Sequence, residues 1–331
     1  MSKGNVRSYF SFHGQMYEIY RFLPGDLMFN QKYMERYFTI VGEICKDPYI
    51  TLKAMNSQTH IHRSTVSRSI IDLHKERCLF GPWLSLNPHE NYSQYVYVMN
   101  FSDPEAVFEG LKDFPHVRYH AHTFGEWNTL IITERLLDLS TLKGFQSAIV
   151  RRKKGYTNTP PVTYTTWDQS WRALKENLQN MKLKERDTIE TLPRLFWREE
   201  DWKLYNAFKH NVRQRAAPIL RELGIRYEYY MQWKKDLMNH CGIHTEFHPQ
   251  PVQRYTNHCL LLKSRYIESV EELFSLFPTT PVFVEMTDCV LVYVKMTSDM
   301  TENLIEMMYD MKDASIIEDV NYAVVFNEHR S

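Results

Sequence analysis

The sequence contains no apolar run approaching the roughly 20 residues needed to span a bilayer, and its first ten residues, MSKGNVRSYF, lack the apolar core of a signal peptide. No membrane partner is expected, and the expected location is the cytoplasm. Cysteine is scarce: Cys45, Cys78, Cys241, Cys259 and Cys289 are odd in number, scattered and free of any C-x-x-C pair. That argues against a disulfide framework or a zinc knuckle and for buried, reduced thiols. Net charge is lacking too, because 40 Lys and Arg balance 40 Asp and Glu. What is present is apolar material, 43% of 331 residues with 14% aromatic, enough for several cores of ordinary size, so the chain is expected to fold throughout.

A weak internal repeat organises the rest. Phe114-Pro115 matches Phe277-Pro278, Arg63 matches Arg226, Pro88 matches Pro251, and YVYVMN at Tyr95 matches HCLLLK at His258. The offset is constant, as a duplicated unit requires, and its length is that of domains and not of a solenoid repeat. Charge follows the repeat. Lys203 to Cys241 carries eight bases against three acids, whereas Ser264 to Ser331 carries four against thirteen. Tyr33 to Leu86 (seven against five) and Tyr95 to Val150 (four against seven) show the same trend more weakly. A basic front part joined to an acidic back part suggests that only the front faces a polyanion.

Helical spacing of Tyr33, Tyr37, Ile40, Val41 and Ile44 predicts a helix from about Lys32 to Cys45, ended by Asp47-Pro48. A short helix from about Ile50 to Ser57 follows. Then HRSTVSRSIIDLHKERCLF places Val66, Ile70 and Leu73 on one stripe and Ser64, Thr65, Ser67, Arg68 and Asp72 opposite. Short hydroxyls with an arginine at a helix start suit a DNA major groove. A plain three-helix module with a solvated polar face is an equal alternative on residue chemistry alone. Trp83 to Leu86 and Tyr92 to Phe101, around Asn87-Pro88, read as the hairpin of a wing. A helix from Asp103-Pro104 to Asp113, strands RYHAHTFG and EWNTLIITE, a second helix in LSTLKGFQSAIV and a last strand near Val162 to Trp167 complete a βαββαβ order.

With STVSRSI at Ser64 to Ile70, LFGPWLSLNP ahead of YVYVMNF, and FGEWNTLII at Phe124 to Ile132, the chain resembles the Lrp/AsnC feast/famine transcription regulators. The resemblance implies an α+β chain in which two winged helix-turn-helix domains alternate with two ferredoxin-like ligand domains. It further implies a sequence-specific, effector-responsive DNA-binding regulator that is not an enzyme, with no cofactor and no metal. Arg63, Ser64, Thr65, Ser67, Arg68 and Ser69 would touch double-stranded DNA. Gly125, Trp127 and Asn128, with Tyr119, His120 and His122, would contact a small-molecule effector, with Asn128 standing where the family commonly has Asp. The expected divisions are an extension 1–30, winged helix 31–91, ligand domain 92–167, connector 168–193, winged helix 194–253 and ligand domain 254–331.

The second unit keeps the pattern with a changed surface. Tyr227, Tyr229, Tyr230 and Trp233 replace the small hydroxyls and read best as core or interface, and Asp288 occupies the place of Gly125. In the connector the run RRKK is most simply solvated. Two histidine groups, His116, His120 and His122, and His240, Cys241, His244, His248, His258 and Cys259, lack the C-x-x-C or helical H-x-x-x-H context of a metal site. Sirohaem decarboxylases share the resembled layout and use histidines beside the tetrapyrrole, which makes such an enzyme the alternative function; an architectural or protein-binding module is a third. By the same resemblance, the two ligand domains are expected to pair within one chain as an internal pseudo-dimer, which further forms a homodimer on palindromic DNA.

Overall fold

The computed structural model describes residues 7–12, 15–20, 31–185 and 192–331. Most of the expected extension 1–30 and the end of the expected connector therefore lie outside the described residues. The chain divides into two units, Met1–Arg36 and Tyr37–Ser331. The first holds an antiparallel hairpin of β1 (Arg7–Phe12) and β2 (Gln15–Tyr20), with Arg7 opposite Tyr20 and Phe12 opposite Gln15. Helix α1 (Gln31–Lys46) begins there and continues into the second unit.

In the second unit, α1 buries Tyr37, Ile40, Val41 and Ile44 on one stripe. Helix α2 (Leu52–Thr59) starts where the Thr51 hydroxyl accepts from Ala54 N and ends at His60, whose left-handed φ of 57° stops the helix. Helix α3 (Arg63–Lys75) buries Val66, Ser69 and Leu73. The strand after it, β3 (Leu79–Leu86), does not fold back on its successor. Its partner is β9 (Cys241–Phe247), one repeat away.

The first ferredoxin-like domain consists of β4 (Tyr95–Phe101), α4 (Pro104–Gly110), β5 (Val117–Gly125), β6 (Thr129–Thr133) and β7 (Phe145–Lys153). The segment expected to be its second helix is a single 3-10 turn, Leu139–Thr141, followed by β7. Gly144, at φ 85°, ends the turn against Ser102 and directs the chain along β4. A short apolar run was compatible with helix or strand, and pairing with β4 decides for strand. The last strand is therefore β7 and not Val162–Trp167, where α5 (Trp167–Asn180) begins after the two-residue β8 (Thr157–Asn158).

A second helical trio follows: α6 (Glu199–Phe208), α7 (Ala216–Leu223) and α8 (Tyr227–Asp236). Next come β9 (Cys241–Phe247), β10 (Thr256–Lys263), α9 (Ile267–Phe274), β11 (Val282–Glu285), β12 (Cys289–Met296), α10 (Thr301–Asp313) and β13 (Asp319–Arg330). Two winged-helix regions thus alternate with two ferredoxin-like domains. The aromatics of α8 divide: Tyr230 and Trp233 are buried with Leu204, Phe208 and Leu220, while Tyr227 is exposed.

The repeats exchange strands. Strands β3 and β9 pair antiparallel from Leu79 opposite Phe247 to Leu86 opposite Cys241. Leu84 and Leu86 of β3 enter the core of the second helical trio. The nine-stranded sheet runs β7-β4-β6-β5-β13-β10-β12-β11-β8, two four-stranded ferredoxin-like sheets joined where β5 meets β13, with β8 added at one edge. Strand β8 closes the far edge against β11. Apolar residues from one face of both halves, among them Val98, Tyr119, Leu130, Leu261, Leu291 and Val325, form a single core cluster, so the joined sheet curls onto itself. At about 1.5–3 kcal/mol for each fully buried large side chain, this shared core holds the halves together.

Candidate functional site

At one end of the curled sheet, α6 and β3 cover a half-open cleft of about 1080 Å³, counting solvent at its mouth. Helix α6 contributes through its periodicity. Leu204 and Phe208 point into the core, while Trp202, Tyr205 and Asn206 line the cleft together with Lys209, just past the helix end. Strand alternation supplies the floor: Tyr119, Tyr293 and Lys295, and Val282 and Val284, present the same face as the shared core.

The cleft is aromatic and positively charged. Trp83, Tyr92, Tyr119, Trp202, Tyr205 and Tyr293 form walls; five bases, Arg118, Lys154, Lys209, Lys295 and Arg330, and two acids, Glu246 and Glu328, line it, and Glu134 pairs with Arg118 from outside the lining. Glu246, 3% exposed, is the hub. It accepts from Trp83 Nε1 at 3.1 Å and Lys295 Nζ at 3.2 Å, and lies 3.6 Å from Arg330. Burial alone would raise its pKa, but Lys295 and Arg330 overcome that and hold it at about 2. Burial likewise opposes the charge of Arg330, yet Glu246 and Glu328 raise its pKa. Its guanidinium lies over the rings of Trp83, at 5.3 Å, and Tyr119, at 6.0 Å. Tyr119 donates to Glu328 at 3.0 Å.

Two further lysines line the cleft. Lys154 is buried, and that burial lowers its pKa to about 8 although Glu285 works the other way. Lys209 is lowered by burial and then by Arg118, and it donates to the Ser331 carbonyl. Asn257 Oδ1, at the cleft, is buried with no hydrogen-bond partner among the described residues. Such groups cost stability unless a ligand or water completes them.

The residues expected to touch an effector are dispersed. Only Tyr119 lines the cleft. His120 lies on the helix side of the sheet, its Nε2 3.0 Å from the Phe108 carbonyl, and burial lowers its pKa to about 4. The His122 ring lies 5.9 Å from Phe326. Trp127 is fully buried in the shared core, and Gly125 sits at the β5–β13 join. Asn128 clamps β4: Oδ1 accepts from Phe101 N at 3.0 Å and Nδ2 donates to Phe101 O at 2.7 Å. Asn128→Ala is expected to cost about 1–3 kcal/mol, the penalty for unpaired backbone groups, read as a lowered urea midpoint; a change below about 0.5 kcal/mol would show that the clamp is idle.

On α3, Arg63, Ser64 and Arg68 are exposed, Thr65 and Ser67 half-buried, and Ser69 buried. The second histidine group separates onto different partners: His240 onto His89, His244 onto Ser85, His258 onto Tyr322, while His248 has none among the described residues. Among those residues no trio of His, Cys, Asp or Glu is placed to hold a metal, and no helix is long and apolar enough to cross a membrane.

Sequence reasoning missed Glu246, Lys295, Arg330 and Lys154. Two signals were available. Lys295 interrupts the apolar strand CVLVYVKM, and Trp83 and Glu246, now bonded, stand one repeat apart. Lys154 was hidden at the end of the RRKK run, whose other members are exposed.

No family model matches the chain, and no curated protein matches it. Two solved structures are similar to it, both of siroheme decarboxylase NirDL, one in co-complex with an iron-uroporphyrin III analogue. Each is 10% identical, covering 88% of this chain and 91% or 92% of that one, with TM-scores of 0.46 and 0.45. The expectation of an Lrp/AsnC regulator, a non-enzyme with double-stranded DNA as partner, is corrected. The structures found are of an enzyme with this winged-helix and ferredoxin-like layout.

Proposed function

We propose that the chain is an enzyme of the sirohaem-decarboxylase kind, acting in the cytoplasm on an anionic iron tetrapyrrole bound in the cleft. The observation that supports this is the cleft itself, and not the structural likeness. Aromatic walls suit the faces of a flat macrocycle, and a partly buried lining with five bases against two acids suits its carboxylates. Five free cysteines, four of them buried, suit a reducing compartment. A decarboxylase must strip water from a substrate carboxylate, and Arg118, held by Glu134, and Lys209, both lining the cleft, would replace that water.

The test is titration of the full chain with iron uroporphyrin, followed at the Soret band. Saturable binding is expected, weakened by salt and by at least about tenfold in Arg118→Ala/Lys209→Ala, as the loss of charge-assisted bonds implies. Because Lys154 titrates near 8, a bound carboxylate favours its protonated form, so affinity should be level below that pH and fall as pH rises through it. No Soret change at excess probe, or equal affinity in the double variant, would sink this reading. Loss of carbon dioxide from sirohaem, measured by mass, then tests the reaction.

A further inference from the structure

Behind the cleft, across β3 and β9, lies a second and more open groove lined by Tyr156, Asn158, Thr159, Gly242 and Glu285. One side chain bridges the wall between them. The His244 imidazole, 4% exposed, has Nε2 2.7 Å from Ser85 Oγ, which faces the cleft. Its Nδ1 lies 3.3 Å from Thr159 Oγ1, which faces the outer groove. The Trp83 ring, 4.6 Å away, holds the imidazole from one side. Space for the contact is made by Gly242. A Cβ there would stand 2.5 Å from His244 Nε2 and 3.3 Å from Ser85 Oγ.

We propose that Ser85, His244 and Thr159 form a proton path from the outer groove into the cleft, and that it supplies the proton that replaces each departing carboxylate. This rests on the cleft being the substrate site. Loss of carbon dioxide breaks a carbon–carbon bond and leaves its electron pair on the substrate carbon. One proton on that carbon completes a methyl group, with no oxidant or reductant. Every member of the path can pass a proton on: Ser85 O–H gives to the substrate, His244 Nε2–H to Ser85, Thr159 O–H to His244 Nδ1, and water to Thr159. The imidazole ends as its other tautomer and returns through a brief protonated state. Burial, reinforced by Lys154, lowers the His244 pKa to about 4 and keeps that state short-lived. A hydroxyl–imidazole–hydroxyl chain lets protons through the wall between the cleft and the outer groove.

Thr159→Val and Thr159→Ser separate the path from a structural role, because valine keeps the shape and serine keeps the hydroxyl. Both should bind iron uroporphyrin with wild-type affinity, since Thr159 lies outside the cleft. With sirohaem, Thr159→Val should turn over about 100-fold more slowly, the scale of lost acid–base assistance, with an altered solvent deuterium isotope effect; Thr159→Ser should retain most of the rate. Gly242→Ala, which displaces the imidazole, should resemble Thr159→Val. Wild-type turnover in Thr159→Val, or equal impairment of both Thr159 variants, overturns the path. If the wild-type protein fails to bind iron uroporphyrin, the substrate reading fails separately. The path is then judged by nitrogen-15 resonances of His244. Exchange of its ring proton with solvent should slow in Thr159→Val, and exchange unaffected by that change overturns it.

Discussion

Glu246→Ala is expected to destabilise the protein by about 3–5 kcal/mol, the scale for a buried ion pair that loses one member. Lys295, 9% exposed, would lose its carboxylate, and Arg330 and Trp83 Nε1 would lose theirs at the same point. Glu246→Gln should recover the tryptophan bond but not the charge, and so should be only partly better. Removing Lys295 as well should restore stability relative to the single change, giving a favourable coupling in a double-mutant cycle. The sign of the pH dependence follows from the depressed pKa. The carboxyl is held at about 2, below its ordinary 4.5, so its stabilisation is complete above about 4.5 and is lost as pH falls through about 2. Glu246→Gln should flatten that part of the stability profile. The same change raises the positive excess of the cleft and should tighten iron uroporphyrin binding while loosening the fold. Urea midpoints between pH 2 and 7 check this, and a Glu246→Ala midpoint equivalent to less than about 1 kcal/mol would contradict the hub role.

At the join of the two sheets, Gly125→Ala is expected to cost about 2–5 kcal/mol, combining backbone strain with a clash that cannot relax. Gly125 has φ 150° and pairs with Ala323. An added Cβ would lie 2.4 Å from Tyr322 O and 2.7 Å from Ala323 Cα, both backbone. The neighbouring bonds, Glu126 N to Tyr322 O and Tyr322 N to Glu126 Oε1, fasten the same seam and should open with it. Hydrogen exchange at Glu126 and Tyr322 should accelerate more than at the centre of β12. Gly110→Ala is the control, because a Cβ there meets nothing within 4 Å. Equal effects of the two changes would mean that the join does not depend on this glycine.

Much of the fold was legible locally. The stripe of Ile40, Val41 and Ile44, the stripe of Val66 and Leu73, and the alternation in YVYVMN and CVLVYVKM each state helix or strand within a few residues. The repeat from Phe114-Pro115 to Phe277-Pro278 announced two related units. Leu139 to Val150 was less legible, since a short apolar run fits either element until β4 offers it a partner. The partner of β3 was illegible for the same reason. A hairpin is the nearest pairing for β3, but β9, more than 150 residues away, is the one it makes.

Residue types and their order thus determined, without any structure, that the chain builds two α+β units, and that it carries ample lysine, arginine and aromatic rings. Only the tertiary structure decided that Trp83 meets Glu246, that Lys154 turns inward from a run otherwise in water, and that one curled sheet brings Tyr119 of one half against Tyr293 of the other, rings 6.1 Å apart. Periodicity is set by steric preferences over a handful of neighbours. A cleft depends on which distant strands exchange hydrogen bonds, and any alternating strand satisfies that requirement equally well until the shared apolar core selects one arrangement.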